Sequence, residues 1–403
     1  MKKVNFRRVF LIAIIISLIL SYSILWYRTI TIPAQFTGTD FVPFFVTAQI
    51  TRNEGSSYIY DIQLQQKYEE KLAGFDIQLE DVRIYLNPPF VVPLVNLIVV
   101  PDFVNSLILW ELMMVLFILL AIGFLYLLIR ANFSRKIVVI FIVGIFLFFP
   151  GFKSVVIGQN SAILLLGASL WVYGLLTNKD WVAGLGLVIM TVRPHIALPL
   201  ALPFLFKRKC IWWWFLLGTT LLAVFSLIFV GMDGILGFIK ILFISVNAAN
   251  TTTGEANMFN LIGVLIRMFP NGPVIIFRWL GWGVYLTSMI ILCVIWFKSA
   301  EIKLKQIGLA VLITTFSAPH IHMHDLILWA IPLITLLLYT IQHDEYTFWA
   351  ASLPWWISFA FLICFFSPIL EAIIPYIIYF LLFLLVLKPE KSMTLIRPQV
   401  GGP

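Results

Sequence analysis

The chain reads as an all-α polytopic membrane protein, and three features of the sequence say so. Apolar residues fill 61% of 403 positions and charged residues only 11%, a balance outside the soluble globular range. Long apolar runs such as Phe10–Ile24 and Ile369–Leu387 point to membrane helices. Backbone groups in lipid must bond within their own segment or around a closed barrel, and runs of this length select helices. We expect one integral membrane unit over 1–403, with about 10–12 membrane helices, a large first loop and re-entrant or broken helices.

Basic residues stay on the cytoplasmic side and so order the spans. Clusters at Lys2–Arg8, Arg130–Lys136, Lys179, Lys207–Lys209, Lys298–Lys305 and Lys388–Arg397 mark cytoplasmic ends. The formal charge of +8 is therefore read as orientation, not as nucleic-acid binding. Lys2 to Arg8 precede an apolar run with no small-residue cleavage site, which reads as an anchor. The expected spans are 9–27, 106–129, 137–150, 161–177, 211–230, 274–297, 306–318, 326–341, 347–365 and 369–387. They make ten crossings with both termini in the cytoplasm. Several fall short of the roughly 20 residues of a full span, which points to a water-filled cavity cutting into the bundle.

The remaining segments follow from their breakers and charges. The stretch from Arg28 to Arg83 carries eight acids against five bases and so belongs outside the cytoplasm. Within it Phe41, Phe44, Phe45 and Ala48 recur at helical spacing, which predicts a short helix lying on the surface. Asn87-Pro88-Pro89 and Pro93 forbid a simple span over 84–101. The run 181–206 has charges at both ends and Arg193-Pro194 in its middle, and reads as two half-helices meeting at Arg193. Trp212–Trp214 beside Lys207–Lys209 read as an interfacial belt. Cys210, Cys293 and Cys364 are single and far apart, the pattern of neither a disulfide framework nor a metal site. With this parity the Asp40 loop, Gly158–Ser161, Gly231–Asn260, His320–Asp325 and the turn near Glu371 converge outside the cytoplasm.

Several polar residues at those ends carry chemistry. Asp40 precedes an apolar run, where it fits a helix N-cap and also a general base for a hydroxyl; the two roles are compatible. Arg193 is a cation inside an apolar stretch, which marks a functional site unless it snorkels to an interface. Pro194 suits the first turn of the second half-helix, whose N-terminus beside the guanidinium makes an anion pocket. His320, His322 and His324 alternate before Asp325. Zinc binding needs an extended segment there, and bonding to a ligand phosphate is the competing reading. Asn160 or Ser161 caps a helix after Gly158, with Gln159 free to bond a sugar. Asn257 to Asn260 open another helix.

In their order and spacing, these residues resemble glycosyltransferase family 87, of the GT-C fold. The signals are Asp40-Phe41, Tyr85-Leu86-Asn87-Pro88-Pro89, Trp110, Gly158-Gln159-Asn160, and Ala183-Gly184 leading to Arg193-Pro194. They continue with Asn257-Met258, Asn260-Leu261, Gly263, and Ser317-Ala318-Pro319 through His322 to Asp325, so the resemblance covers roughly residues 38–330. Arg193 stands where the family often has lysine, and Ala318-Pro319 where it often has Ser-Pro. Arginine keeps the charge but changes the fork geometry.

The resemblance implies a GT-C-like bundle in the cell membrane. It implies inverting transfer of a hexose, commonly mannose, from a polyprenyl phosphate to a lipid, glycan or protein hydroxyl outside the cytoplasm. Asp40 would be the base. Arg193 would clamp the donor phosphate with His320 and His324, and His322 would bind or protonate it. Tyr85, Asn87, Gln159, Asn160, Asn257, Asn260 and Asp325 would line the substrate pocket. No metal or other cofactor is implied, although some enzymes of that fold take a divalent cation. A transporter or flippase for an anionic lipid would use the same broken helix, but the chain lacks internal repeats. A scaffolding subunit and a transferase using a diphosphate donor are also compatible with these residues.

Overall fold

In the computed structural model, residues 6–32, 35, 37–247, 254–299, 301–342, 344–364 and 367–387 are described. Two of the basic clusters, Lys2–Arg8 in large part and Lys388–Arg397 in full, lie outside them, as do Thr251–Thr253. The protein is an all-α, multi-pass membrane protein, with no strand among the described residues. Seven helices are long and apolar enough to cross a membrane, and six shorter apolar helices of 10–17 residues accompany them.

The helices run in chain order α1 (Phe6–Thr31), α2 (Val42–Asn53), α3 (Ile62–Ala73), α4 (Val92–Ile98) and α5 (Phe103–Ile129). Then come α6 (Arg135–Phe146), α7 (Phe149–Val156), α8 (Ser161–Leu176), α9 (Asp180–Ile189), α10 (Pro194–Ala201) and α11 (Lys209–Asn247). The last are α12 (Leu261–Met268), α13 (Val274–Lys298), α14 (Leu304–Ser317), α15 (Ala330–Tyr339), α16 (Asp344–Cys364) and α17 (Pro368–Leu387). Every expected span has a helix over it. Of the short ones, 161–177, 306–318 and 326–341 stay short, whereas 137–150 continues through α6 and α7 as a 22-residue stretch, Arg135–Val156.

Local chemistry sets the ends. Asp61 caps α3 by accepting from the Gln63 and Leu64 amides, and Gly74 closes it at φ 79°. Asp102 caps α5 through the Asn105 amide at 2.8 Å. The Asn87-Pro88-Pro89 breaker leaves only a 3-10 turn and the seven-residue α4, as expected.

The helix α2 forms where the aromatic spacing placed it, but its apolar face is covered by the protein itself. Phe41 and Phe44 pack on Trp110 at 5.8 and 4.9 Å between ring centroids, and Phe45 meets Phe103 edge-on at 5.1 Å. That packing fixes the loop carrying Asp40 onto α5.

The hairpin α8–α9 does most to build one end of the bundle. Gly167 and Gly174 on α8 face Gly186 and Ala183 on α9. A methyl group on Gly174 would lie 2.3 Å from the Ala183 nitrogen, and one on Gly186 2.4 Å from that of Trp171. Small residues let two backbones approach this closely. Because the two helices are antiparallel, the start of α8 and the end of α9 lie at the same end. α9 runs into a 3-10 turn at Met190–Val192, breaks at Arg193 and resumes as α10 with Pro194 in its first turn. Elsewhere the Trp26 indole on α1 donates to Glu111 of α5 at 2.8 Å, and Lys153 of α7 lies 4.0 Å from Glu371 of α17.

Candidate active site

At the shared end of α8 and α9, one side-chain network joins residues far apart in sequence. The Gln159 amide is its centre: its NH2 donates to Asp40 Oδ2 at 2.9 Å, and its oxygen accepts from Arg193 Nη2 at 3.0 Å. Arg193 Nε lies 3.9 Å from Asp325 Oδ1. Asp325, with no solvent exposure, also accepts from the Ser161 hydroxyl at 2.8 Å and the His322 amide at 3.1 Å, and its Oδ2 is 3.6 Å from His324 Nε2.

Each partner is delivered by a local device. Gly158 turns the chain at φ +73°, and a Cβ there would fall 2.5 Å from that of Phe41. Only glycine lets the turn bearing Gln159 approach the Asp40 loop so closely. The turn is also held by the Trp110 indole, which donates to the Gly158 carbonyl at 2.9 Å. Asp325 sits on a 3-10 turn, Met323–Trp329, that follows the extended residue His322. Asn260 caps α12 through the Gly263 amide at 3.0 Å and donates to the Ala318 carbonyl at 2.9 Å, while the Phe259 amide bonds the Ile321 carbonyl at 2.7 Å. Those bonds lock the 318–322 loop against α12.

Two local expectations are corrected by the structure. Asp40 is not the N-cap of α2: Phe41 holds that position, with no side-chain cap bond, and the carboxylate turns to Gln159 instead. Neither Asn160 nor Ser161 caps α8 through its side chain. Asn160 is at the cap position but donates to Asn87 Oδ1 at 2.9 Å, and Ser161 bonds Asp325.

The histidines form a wall rather than a fork. His320 and His322 rings meet edge-on at 4.8 Å, and those of His322 and His324 stack at 5.5 Å. Burial pushes the His320 imidazole well below its ordinary range, with the charges of His322 and Arg193 adding to the effect. His322 is pushed down to about 4, chiefly by burial and by His324, against the pull of Asp325 and Asp40. Both rings are neutral at pH 7 and offer one N–H each. Among the described residues no group of three or more His, Cys, Asp or Glu side chains is arranged to hold a metal ion.

The residues singled out in the sequence therefore fall into two sets. Asp40, Gln159, Arg193, His322, His324 and Asp325 come together, with Asn160 and Asn87 alongside. Tyr85 is fully buried behind them, edge-on to Phe44, and Asn260 is enclosed in its cap. Asn257 is exposed, in the turn before α12, and among the described residues no contact joins it to the network. The site also holds residues that the sequence does not single out for chemistry. His195 accepts or donates a 2.8 Å bond with the His320 carbonyl, and the Tyr285 hydroxyl donates to the His195 carbonyl at 3.0 Å. Lys153 acts on His324 through its charge. Ser161 reads in the sequence only as a cap. Lys153 has a signal, since it is a single cation in an apolar run like Arg193; His195 has none beyond its position after Arg193-Pro194.

Three buried polar atoms at this site lack a hydrogen bond among the described residues: Asn160 Oδ1, Arg193 Nε and His324 Nε2. Groups of this kind ask for a polar ligand or water. The model of glycosyltransferase family 87 matches residues 85–319, more than half of the chain. The chain belongs to glycosyltransferase family 87. It is a membrane-bound glycosyltransferase, and its substrates are a sugar donor and an acceptor. No curated protein and no solved structure matches the chain. The family match takes in Gln159 and Arg193; it begins after Asp40 and stops at Pro319, one residue before His320.

Proposed function

We propose that this glycosyltransferase moves a hexose, mannose first among candidates, from a polyprenyl phosphate to an acceptor hydroxyl on a lipid, glycan or protein. The observation that carries the reading is the Gln159 bridge, which sets one half-exposed carboxylate and one arginine on either side of a single amide. Asp40 is the general base. It takes the proton of the acceptor hydroxyl as that oxygen attacks the anomeric carbon. The bond from this carbon to the phosphate oxygen breaks on the opposite face, so the sugar configuration inverts. The departing phosphate keeps the electron pair, and its negative charge is met by Arg193 and by neutral N–H donors of His320, His322 and His324.

Neutral His322 supports binding of the phosphate rather than protonation of it, because a ring pushed down to about 4 holds no spare proton at pH 7. Asn87 and Asn160 line the sugar side, and Asp325 holds Arg193 in place. No metal ion is invoked. On the charge pattern of the loops, this end of the bundle faces away from the cytoplasm and both termini face it.

The direct test is product analysis by mass spectrometry after the purified chain is incubated with a panel of polyprenyl-phosphate sugars and a lipid-extract acceptor. One glycosylated product from a hexosyl phosphate donor is expected. A product formed only from a diphosphate-linked or nucleotide-linked sugar would overturn the reading of the donor.

A further inference from the structure

We propose that residues 232–247, the second part of α11, form an arm that lies flat in the headgroup–acyl boundary of the bilayer and braces the Asn87 wall of the site. The apolar stretch Lys209–Ile244 has 36 residues. As a straight helix it would be about 54 Å long, against roughly 30 Å of hydrocarbon. It is not straight: at Gly231 the backbone takes φ 68° and ψ 179°, a region that essentially only glycine enters. Residues 209–230 alone give about 33 Å, the length of a span. The rest must go elsewhere.

The faces of the arm say where. Met232, Leu236, Ile239 and Phe243 follow at intervals of four, three and four residues and are 61, 56, 45 and 67% exposed. They continue the exposed stripe of the spanning part, Leu217, Leu221, Val224 and Ile228. Asp233 and Lys240, seven residues apart and both exposed, share the flank beside that stripe. A narrow apolar face edged by charge, continuous with a lipid-facing surface, is the pattern of a helix lying in the interface. In water the same face would leave four large apolar side chains uncovered.

The opposite side is attached to the protein. Ile241 is buried, and the Phe238 ring lies 5.1 Å from that of Tyr60. A Cβ on Gly237 would sit 3.3 Å from that of Tyr60, and just before the bend, in the spanning part, the Ser56 hydroxyl donates to the Phe229 carbonyl at 2.6 Å. Tyr60 in turn donates to the Asn87 carbonyl at 2.7 Å, and the Asn87 side chain accepts from Asn160, next to Gln159. A helix seated on the membrane is thus two side chains away from the polar network, and it sets the height of the site relative to the lipid. The arm would take this position whichever sugar and donor the site accepts.

The test uses the full-length chain in phosphatidylcholine–phosphatidylglycerol nanodiscs, with Cys210, Cys293 and Cys364 replaced and a nitroxide at one position at a time. The positions are Leu221→Cys, Asp233→Cys, Ile239→Cys, Lys240→Cys and Phe243→Cys. Label collision with oxygen is compared with collision with a water-soluble nickel chelate. The oxygen-to-nickel ratio should be several-fold higher at 239 and 243 than at 233 and 240, and lower than at 221. Equal nickel access at all four arm positions would overturn the proposal, because the arm would be in water. Protection of 239 and 243 from both reagents would also overturn it, because a protein would cover the face. So would a depth equal to that of 221. A label at Leu236→Cys replaces either apolar position if that variant fails to elute as a monodisperse peak.

Discussion

Two aspartates stand at opposite ends of one polar network, joined through the Gln159 amide and the Arg193 ion pair, and have opposite surroundings. Asp40 is half-exposed, comes from the loop after α1 and has one described hydrogen-bond partner, the Gln159 amide. Asp325 is fully buried on the turn before α15 and is held by Ser161, the His322 amide, His324 and Arg193. A carboxylate with a free oxygen and access can meet a substrate. One whose oxygens are taken and whose surface is closed can only position its neighbours. The difference assigns chemistry to Asp40 and support to Asp325, the division between a reacting group and the shell that orients it.

The contrast can be broken most forcefully from the buried side. Asp325→Asn leaves the Arg193 charge, itself 13% exposed, without its counter-ion. We expect a loss of about 3–5 kcal/mol of stability, the range for breaking a buried pair. A thermal midpoint unchanged in detergent would show that Asp325 supports nothing.

Acid should strain the same side. Unfolded histidine protonates near 6.5 and His322 in the fold only at about 4, so unfolding takes up a proton between those values and stability falls as pH drops through that window. The share of His322 is up to about 3 kcal/mol. Melting at pH 7 and pH 5 should differ, and His322→Gln should narrow the gap. A gap left whole by that substitution would place the acid sensitivity elsewhere.

Gly158→Ala tests how the two ends are joined. Positive φ and the contact with Phe41 make it cost about 1–3 kcal/mol, and it should reduce transfer more than donor binding because the Asp40 loop is displaced. Equal losses in both would mean that the turn does not position Asp40 in particular. Arg193→Lys is the mildest change. It keeps the charge and loses the fork, and we expect donor KM to rise about tenfold with a smaller change in kcat. An unaltered KM would remove Arg193 from the donor phosphate.

Much of this was legible in the chain because membrane helices announce themselves by length and polarity. Helices over the expected spans, the Asn87-Pro88-Pro89 breaker and the half-helices meeting at Arg193 all appear where apolar runs and prolines put them, seven of the helices long enough to cross a membrane. What stayed hidden has physical reasons. The bend at Gly231 interrupts a run that is apolar on both sides, so hydropathy is blind to it. The rotation of Asp40 from cap to network depends on Gly158 approaching Phe41 across more than a hundred residues. Local spacing holds no record of such a contact. The aromatic stripe of α2 predicted a helix correctly, but whether lipid or protein covers it was decided by Trp110 and Phe103.

One measurement goes straight to the division between the two aspartates. Asp40→Asn keeps the shape of the side chain and removes the base, so reconstituted protein should bind a labelled polyprenyl-phosphate hexose as tightly as the parent chain while single-turnover transfer falls by about 10²–10⁴-fold. Transfer at the parent rate, or donor binding lost in the same proportion, would contradict the role given to Asp40.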